Sequence, residues 1–277
     1  EKYVTLVVAA PCVSHFFTKN IINSQYIGKA SSSKVKSNLE NTSNYTNNYA
    51  KVEVSEKNYV KIIHAPSSPQ AKGTAKIRKS IENLKNSGYK INYVELINKS
   101  NDQVINEIKD CDFIVDQIYS DTPMAIFTME AALLGKPSIV GGYYFEFLEK
   151  FIPSGMFPPS YRCQPSEIEK AIKFLINNPD FRTKLGYEAQ VFVTTKWTGE
   201  SVAKNFIRLI EGDIPKEWWL NPLSITYLYG AGQSSEKTKE YVEKLVLTYG
   251  IGSLELSNNP FLERSFLELS NIKIPDD

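Results

Sequence analysis

Between Tyr59 and Val140 the chain alternates short apolar, β-branched runs with amphipathic helical patterns, and that alternation leaves few folds open. Tyr59-Val60-Lys61-Ile62-Ile63-His64 reads as a strand, followed by a two-proline loop from Ala65 to Lys72. Gly73 to Ser87 reads as a helix with Ile77, Ile81 and Leu84 along one face, and Gly88 caps it. Ile91 to Leu96 is a second strand, and Asn101 to Lys109 a helix that turns Val104, Ile105 and Ile108 inward. Phe113-Ile114-Val115 is a short buried strand, Pro123 to Leu134 a helix and Ser138-Ile139-Val140 a further strand. Strands alternating with helices of this length indicate a parallel sheet covered on both faces. Right-handed crossovers make it a doubly wound α/β fold, with any ligand outside the carboxyl ends of the strands.

The flanks are organised differently. Tyr3 to Ala10 is a β-rich run ended by Pro11. Ser31 to Tyr49 is rich in Ser, Asn and Lys without an apolar period, so it reads as a linker and a domain boundary. After Gly142 the pattern turns helical: Ser166 to Asn177, Pro179 to Lys196 and Gly199 to Leu209 follow one another with no strong strand between them. Gly212 to Pro222 holds Trp218-Trp219, which reads as a structural anchor for the tail rather than a sugar-stacking pair. Lys237 to Tyr249 and Asn259 to Leu269 are two further amphipathic helices. The expected division is 1–50 as the end of an amino-terminal domain and linker, 51–211 as the sheet-bearing domain and 212–277 as a helical extension.

Charge and cysteine usage narrow the function classes. Lys plus Arg at 32 against Asp plus Glu at 31 leaves a net charge of +1, so no global field draws the chain to nucleic acid or anionic lipid. Lys76, Arg78, Lys79, Lys85 and Lys90 have no interleaved aromatics and read as a solvated helix face, not a nucleic-acid patch. Cys12, Cys111 and Cys163 are scattered, and the histidines are His15 and His64 alone. A zinc site or a disulfide framework is therefore not expected, and the reading is a reducing, cytoplasmic compartment. The longest apolar run, Val4 to Val13, is about half of what a membrane span needs and lacks the flanks of a secretory signal. The chain begins at Glu1 in mid-strand character, and further sequence upstream is expected.

The chemistry concentrates in Asp116 to Pro137. This stretch reads as a strand end, a loop, a helix carrying Glu130, and a Gly135-Lys136-Pro137 exit into the next strand. A loop that feeds a helix N-terminus gathers unpaired N–H groups and partial positive charge, which suits a phosphate. Glu130 lies among Ile126, Phe127, Met129 and Leu133, where an acid is costly without a partner, and it can accept from a sugar diol. Lys72, just before a glycine at a strand-to-helix loop, can reach a pyrophosphate as a point charge. Ser67 and Thr122 are caps or turn residues as readily as ligand contacts, chiefly through backbone N–H. His64 ends a strand before this loop, and a lone histidine there is more often structural than catalytic. His15 is read the same way.

Three segments carry a family resemblance. They are Lys61 to Thr74, with Ala65-Pro66-Ser67 and Lys72-Gly73; the stretch through Glu130 to Pro137; and Asn178-Pro179-Asp180-Phe181-Arg182-Thr183-Lys184-Leu185-Gly186, followed by Trp197 and Val202-Ala203. In this order and spacing, over Tyr59 to Leu209, the chain resembles the carboxyl-terminal half of a GT-B glycosyltransferase of the retaining group called glycosyl transferases group 1. The resemblance implies that 51–211 is the Rossmann-like donor-binding domain. It puts Lys72 on the donor diphosphate as the catalytic cation, with Ser67 where the family usually has an Arg. It sets the paired glutamates on Thr122 and Glu130 and the glycine of the loop on Ala125; Met124 lies in the same loop. A subset of the family with the Ala-Pro-Ser loop also lacks the first glutamate.

The function so implied is transfer of a hexose, with retention, from a nucleotide-diphosphate sugar to a glycan or lipid-linked acceptor in polysaccharide biosynthesis. No metal and no cofactor are expected, no nucleic acid partner, and a peripheral contact with the inner face of the membrane through the amino-terminal domain. The changes at Ser67, Thr122 and Ala125 motivate a second reading, a non-catalytic nucleotide-sugar or glycan binding module. A nicotinamide enzyme would need a Gly-x-Gly-x-x-Gly turn after a strand, and the loop after His64 offers only Gly73.

Overall fold

The computed structural model of the chain describes residues 3–4, 58–152, 155–220, 228 and 232–272; Cys12, His15 and the linker expected over Ser31 to Tyr49 lie outside them. Strands β1 (Val60–His64), β2 (Ile91–Glu95), β3 (Phe113–Val115), β4 (Ser138–Gly141) and β5 (Tyr161–Cys163) form one sheet in the order β2-β1-β3-β4-β5. Every pairing in it is parallel. Helices α1 (Thr74–Asn86), α2 (Asn101–Lys109) and α3 (Ile126–Leu133) make the first three crossovers. Next come α4 (Phe145–Phe151), α5 (Ile168–Asn177), α6 (Pro179–Lys196) and α7 (Gly199–Glu211), then α8 (Ser235–Tyr249) and α9 (Pro260–Leu269). This is the doubly wound α/β fold that the alternation implies.

Successive strand residues feed opposite faces, as the pleat requires. Ile62, Phe113, Val115 and Ile139 pack against Ile77, Ile81 and Leu84 of α1 and Ile168, Ile172 and Leu175 of α5. Ile63 and Ile114 meet Ile108 of α2 and Phe127 and Ala131 of α3 on the other face. Each fully buried Ile or Leu contributes roughly 1.5–3 kcal/mol over an exposed one. Helix α3 is apolar nearly all round because α6 covers its outer side: Met129, Ala132 and Leu133 pack on Ala189, Phe192 and Val193.

Local signals explain where these elements start and stop. Ser100 and Gln103 form a reciprocal capping box at the start of α2. Helix α3 ends in a Schellman turn: Gly135 N–H donates to Ala132 O at 2.9 Å and Lys136 N–H to Ala131 O at 2.9 Å. Gly135 carries φ 69°, a left-handed value that explains the glycine in Gly-Lys-Pro. The Asn178 to Gly186 motif also has a mechanical reason. Arg182 donates to the carbonyls of Leu175 and Ile176 at the end of α5 and to Asp112 before β3.

Some expectations are corrected. Strand β5 and helix α4 were not anticipated; β5 is a three-residue edge strand and α4 has seven residues, both too short for a period to register. Helix α3 begins at Ile126, not Pro123, because Asp121 takes φ 52° and Ala125 is extended, which delays the helix. Trp218 is buried with Arg208 over its ring at 5.3 Å, whereas Trp219 is 38% exposed. Trp219 and Leu220 pair antiparallel with Tyr3 and Val4. Helices α8 and α9 share a small core of Val242, Val246 and Leu267. Among the described residues no helix is long and apolar enough to cross a membrane.

Candidate functional site

The strand order changes direction at β1: the chain runs from β1 to β2 on one side, then returns to β3 on the other. At such a switch point the loops leaving adjacent strands diverge, and a crevice opens at their carboxyl ends. The loop after β1 carries Lys72, and the loop after β3 runs from Asp116 to Ala125. The two are tied together, since Ile118 N–H donates to Lys72 O at 3.3 Å. Gly73 begins α1 with φ 76°, and a Cβ there would run into the Ile118 and Tyr119 side chains, so the close approach of the loops requires glycine.

Lys72 donates to Asp116 Oδ1 at 2.5 Å, and the Asp116 side chain is completely buried. Asp116 Oδ2 accepts from the Thr128 hydroxyl at 2.8 Å. Glu130, also buried, accepts from the Asn101 side-chain amide at 2.6 Å. Asn101 opens α2 just beyond β2. Groups from the carboxyl ends of β2, β1 and β3 therefore meet around Glu130. Burial pushes the Glu130 carboxyl up to about 7; the Asn101 hydrogen bond opposes this, Asp116 adds to it and Lys72 reduces it. A carboxylate so raised, beside a cation at a sheet switch point, marks a functional-site candidate.

The other anticipated residues fall around this cluster in different ways. Ala125 is the N-cap of α3 and offers no side-chain acceptor, and the first turn has no acid, so no side chain caps its N–H groups. The Thr122 hydroxyl donates to Ser120 O at 3.2 Å and accepts from the Ser120 hydroxyl at 2.9 Å, a local turn and not a helix cap. Met124 is buried against the α3–α6 cluster, so only its backbone can reach a ligand. Ser67 is exposed in the loop before the short turn Pro69–Lys72.

His64 is structural. Its Nδ1 lies 2.8 Å from Val115 O and must donate, because a carbonyl only accepts. Its Nε2, 2.8 Å from Thr74 Oγ1, is then the acceptor. Both nitrogens are used, in one neutral tautomer that joins β1, β3 and α1. Burial is the main reason its pKa is lowered.

Three side chains of this cluster were not singled out from sequence: Asp116, Thr128 and Asn101. An acid interrupting the apolar run from Phe113 to Ile118 was the available signal for Asp116.

The crevice continues past β4 and β5. Gly141 N–H donates to Gln117 O at 2.7 Å, and Tyr144 N–H to Asp121 Oδ1 at 2.6 Å, which fixes the loop after β3 against the loop after β4. Beyond it lies a cavity of about 390 Å³ lined in part by Tyr143, Phe147, Arg162, Gln164 and Glu167. Arg162 pairs with Glu149 and stacks on Phe157 at 4.5 Å.

The chain matches no protein-family model and no curated protein. Among solved structures it is similar to Anabaena HepE in complex with UDP-glucose, at 12% identity and a TM-score of 0.38, over 56% of this chain and 49% of that one. It is likewise similar to HepE in complex with UDP, at 12% identity and a TM-score of 0.39 over the same shares. The chain spans about half the length of those structures.

Proposed function

We propose that this chain carries the donor half of a GT-B glycosyltransferase and binds a nucleotide-diphosphate sugar at the β1/β3 switch point. The observation that carries the reading is the convergence of Lys72, the uncapped first turn of α3 and the buried Glu130 at the carboxyl ends of β1, β2 and β3. Lys72 and the N–H groups over Thr122 to Ala125, with Ser67 at the rim, meet the diphosphate. Glu130 accepts from the ribose hydroxyls.

The reaction breaks the bond between the sugar C1 and the diphosphate oxygen. A hydroxyl oxygen of a glycan or lipid-linked acceptor forms the new bond to C1 with retention, and its proton leaves with the departing nucleoside diphosphate. The protein stabilises the charge that develops on the leaving diphosphate, without a metal or a cofactor. An amino-terminal domain completes the acceptor side.

Isothermal titration of the full chain with UDP, GDP and ADP, with and without EDTA, tests the reading. At least one nucleotide binds independently of EDTA, and Lys72→Ala or Glu130→Ala weakens it at least tenfold. No binding of any nucleotide, or no loss in either variant, overturns it.

A second reading, a binding module without turnover, is favoured by the Thr122 hydroxyl being bonded to Ser120. Donor hydrolysis or transfer by the full chain decides against it.

A further inference from the structure

Lys72 is the cation of the site, yet a fully buried carboxylate already engages it. Its side chain is 15% exposed while that of Asp116 is 0% exposed, so a ligand can reach the ammonium and not the acid behind it. The acid is also fixed in place. Thr128 donates to one of its oxygens, Lys72 to the other, and Asp116 N–H donates to Ile139 O at 3.0 Å on β4. An ammonium has three N–H donors, and Asp116 accepts one of them. The remaining donors can serve a phosphate without breaking the pair.

We propose that Asp116 is a positioning residue that holds Lys72 in the empty site and, as a buried negative charge behind it, loosens the grip on the diphosphate so that product leaves. The inference rests on the reading of this crevice as a nucleoside-diphosphate site. The Lys72–Asp116 pair presents a net charge of zero to an incoming phosphate, so positioning is obtained at the expense of affinity. A polyanion near a buried carboxylate of low effective dielectric is repelled by it. Neutralising that acid strengthens anion binding by about tenfold. Asn at position 116 keeps the shape and an oxygen acceptor for Thr128 while removing the charge. A purely structural Asp116 predicts equal or weaker binding, because a disturbed site binds no better.

The test is isothermal titration of the full chain with UDP, GDP, ADP and inorganic pyrophosphate. The proteins are wild type, Asp116→Asn, Lys72→Met and the double variant, with melting temperatures measured alongside. Pyrophosphate makes the test independent of the base. Asp116→Asn tightens pyrophosphate, and whichever nucleotide the wild type binds, by about tenfold and slows nucleotide dissociation. The double variant recovers part of the affinity lost in Lys72→Met, because it no longer buries a lone carboxylate. Should Asp116→Asn not fold, the double variant carries the test, since removing both charges of a buried pair is tolerated far better than removing one. Equal or weaker binding by folded Asp116→Asn, or a double variant no better than Lys72→Met, overturns the inference. A wild type that binds none of the four probes overturns the nucleotide reading itself, and this is read before any variant is made.

Discussion

Two charge networks lie at opposite ends of the same sheet, and they are built on opposite terms. At the amino end, Lys61 of β1 donates to Glu107 and Asp110 at 2.8 and 3.3 Å, and Arg182 bridges Asp112 to the end of α5. Burial alone would lower the Lys61 ammonium, but Glu107 and Asp110 outweigh it and hold the pKa above its ordinary value. At Lys61 charge is stabilised and its partners are partly exposed, whereas burial lowers the pKa of the Arg182 guanidinium and Asp112 only partly opposes it. At the carboxyl end, Asp116 is fully buried with one ammonium, and burial drives Glu130 toward its neutral form. The Lys61 pairs serve the fold, while the buried Glu130 carboxylate works against it. An unfavourable carboxylate at a switch point is the cost expected of the proposed ligand site.

The contrast can be broken most forcefully at Arg182. Arg182→Ala strips two helix-end carbonyls and Asp112 of a mostly buried guanidinium, and about 2–3 kcal/mol of stability is lost. Urea unfolding measures this, and nucleotide affinity of the folded protein is unchanged. An equal loss of affinity would dissolve the distinction between the two ends.

Glu130→Gln has the next largest effect and the opposite sign. The folded carboxyl titrates near 7 rather than at the usual 4.5, so the native state binds more protons than the unfolded one between those values. The Glu130 share of stability therefore falls as pH rises from 4.5 to about 7. The Gln variant removes that slope and is more stable at pH 8, by on the order of 2 kcal/mol, with no advantage at pH 4. Melting temperatures across pH 4–8 report it. His64 contributes the reverse slope: its pKa is lowered by burial, so its share of stability is lost as pH falls below 6.5. Double titration with His64→Asn separates the two.

The smallest effect belongs to the amino-end rim. Glu107→Gln removes one partner of Lys61 that is 41% exposed, and costs at most about 1 kcal/mol with no change in binding.

The part of this contrast legible in sequence was the part with local causes. Ile77, Ile81 and Leu84 mark α1 because helical period and burial agree. Lys72 and Glu130 stand out in sequence as single residues against their neighbours: one beside a glycine, one in an apolar helix. What joins them was not legible. Asp116 is 44 residues from Lys72, and Asn101 is 29 from Glu130. Only the sheet order brings such pairs together. Pro123 suggested a helix start that the left-handed Asp121 and extended Ala125 postpone to Ile126, and β5 is too short to carry a signal. Met124, next to the site in sequence, turns into the α3–α6 core.

The most direct measurement is a crystal structure of the full chain grown with whichever nucleoside diphosphate binds. The account predicts phosphate oxygens within hydrogen-bond distance of Lys72 Nζ and of the N–H groups beginning α3, with ribose hydroxyls at Glu130 and Asp116 still beneath Lys72. A nucleotide bound elsewhere, or one in this crevice that touches neither Lys72 nor Glu130, would contradict it.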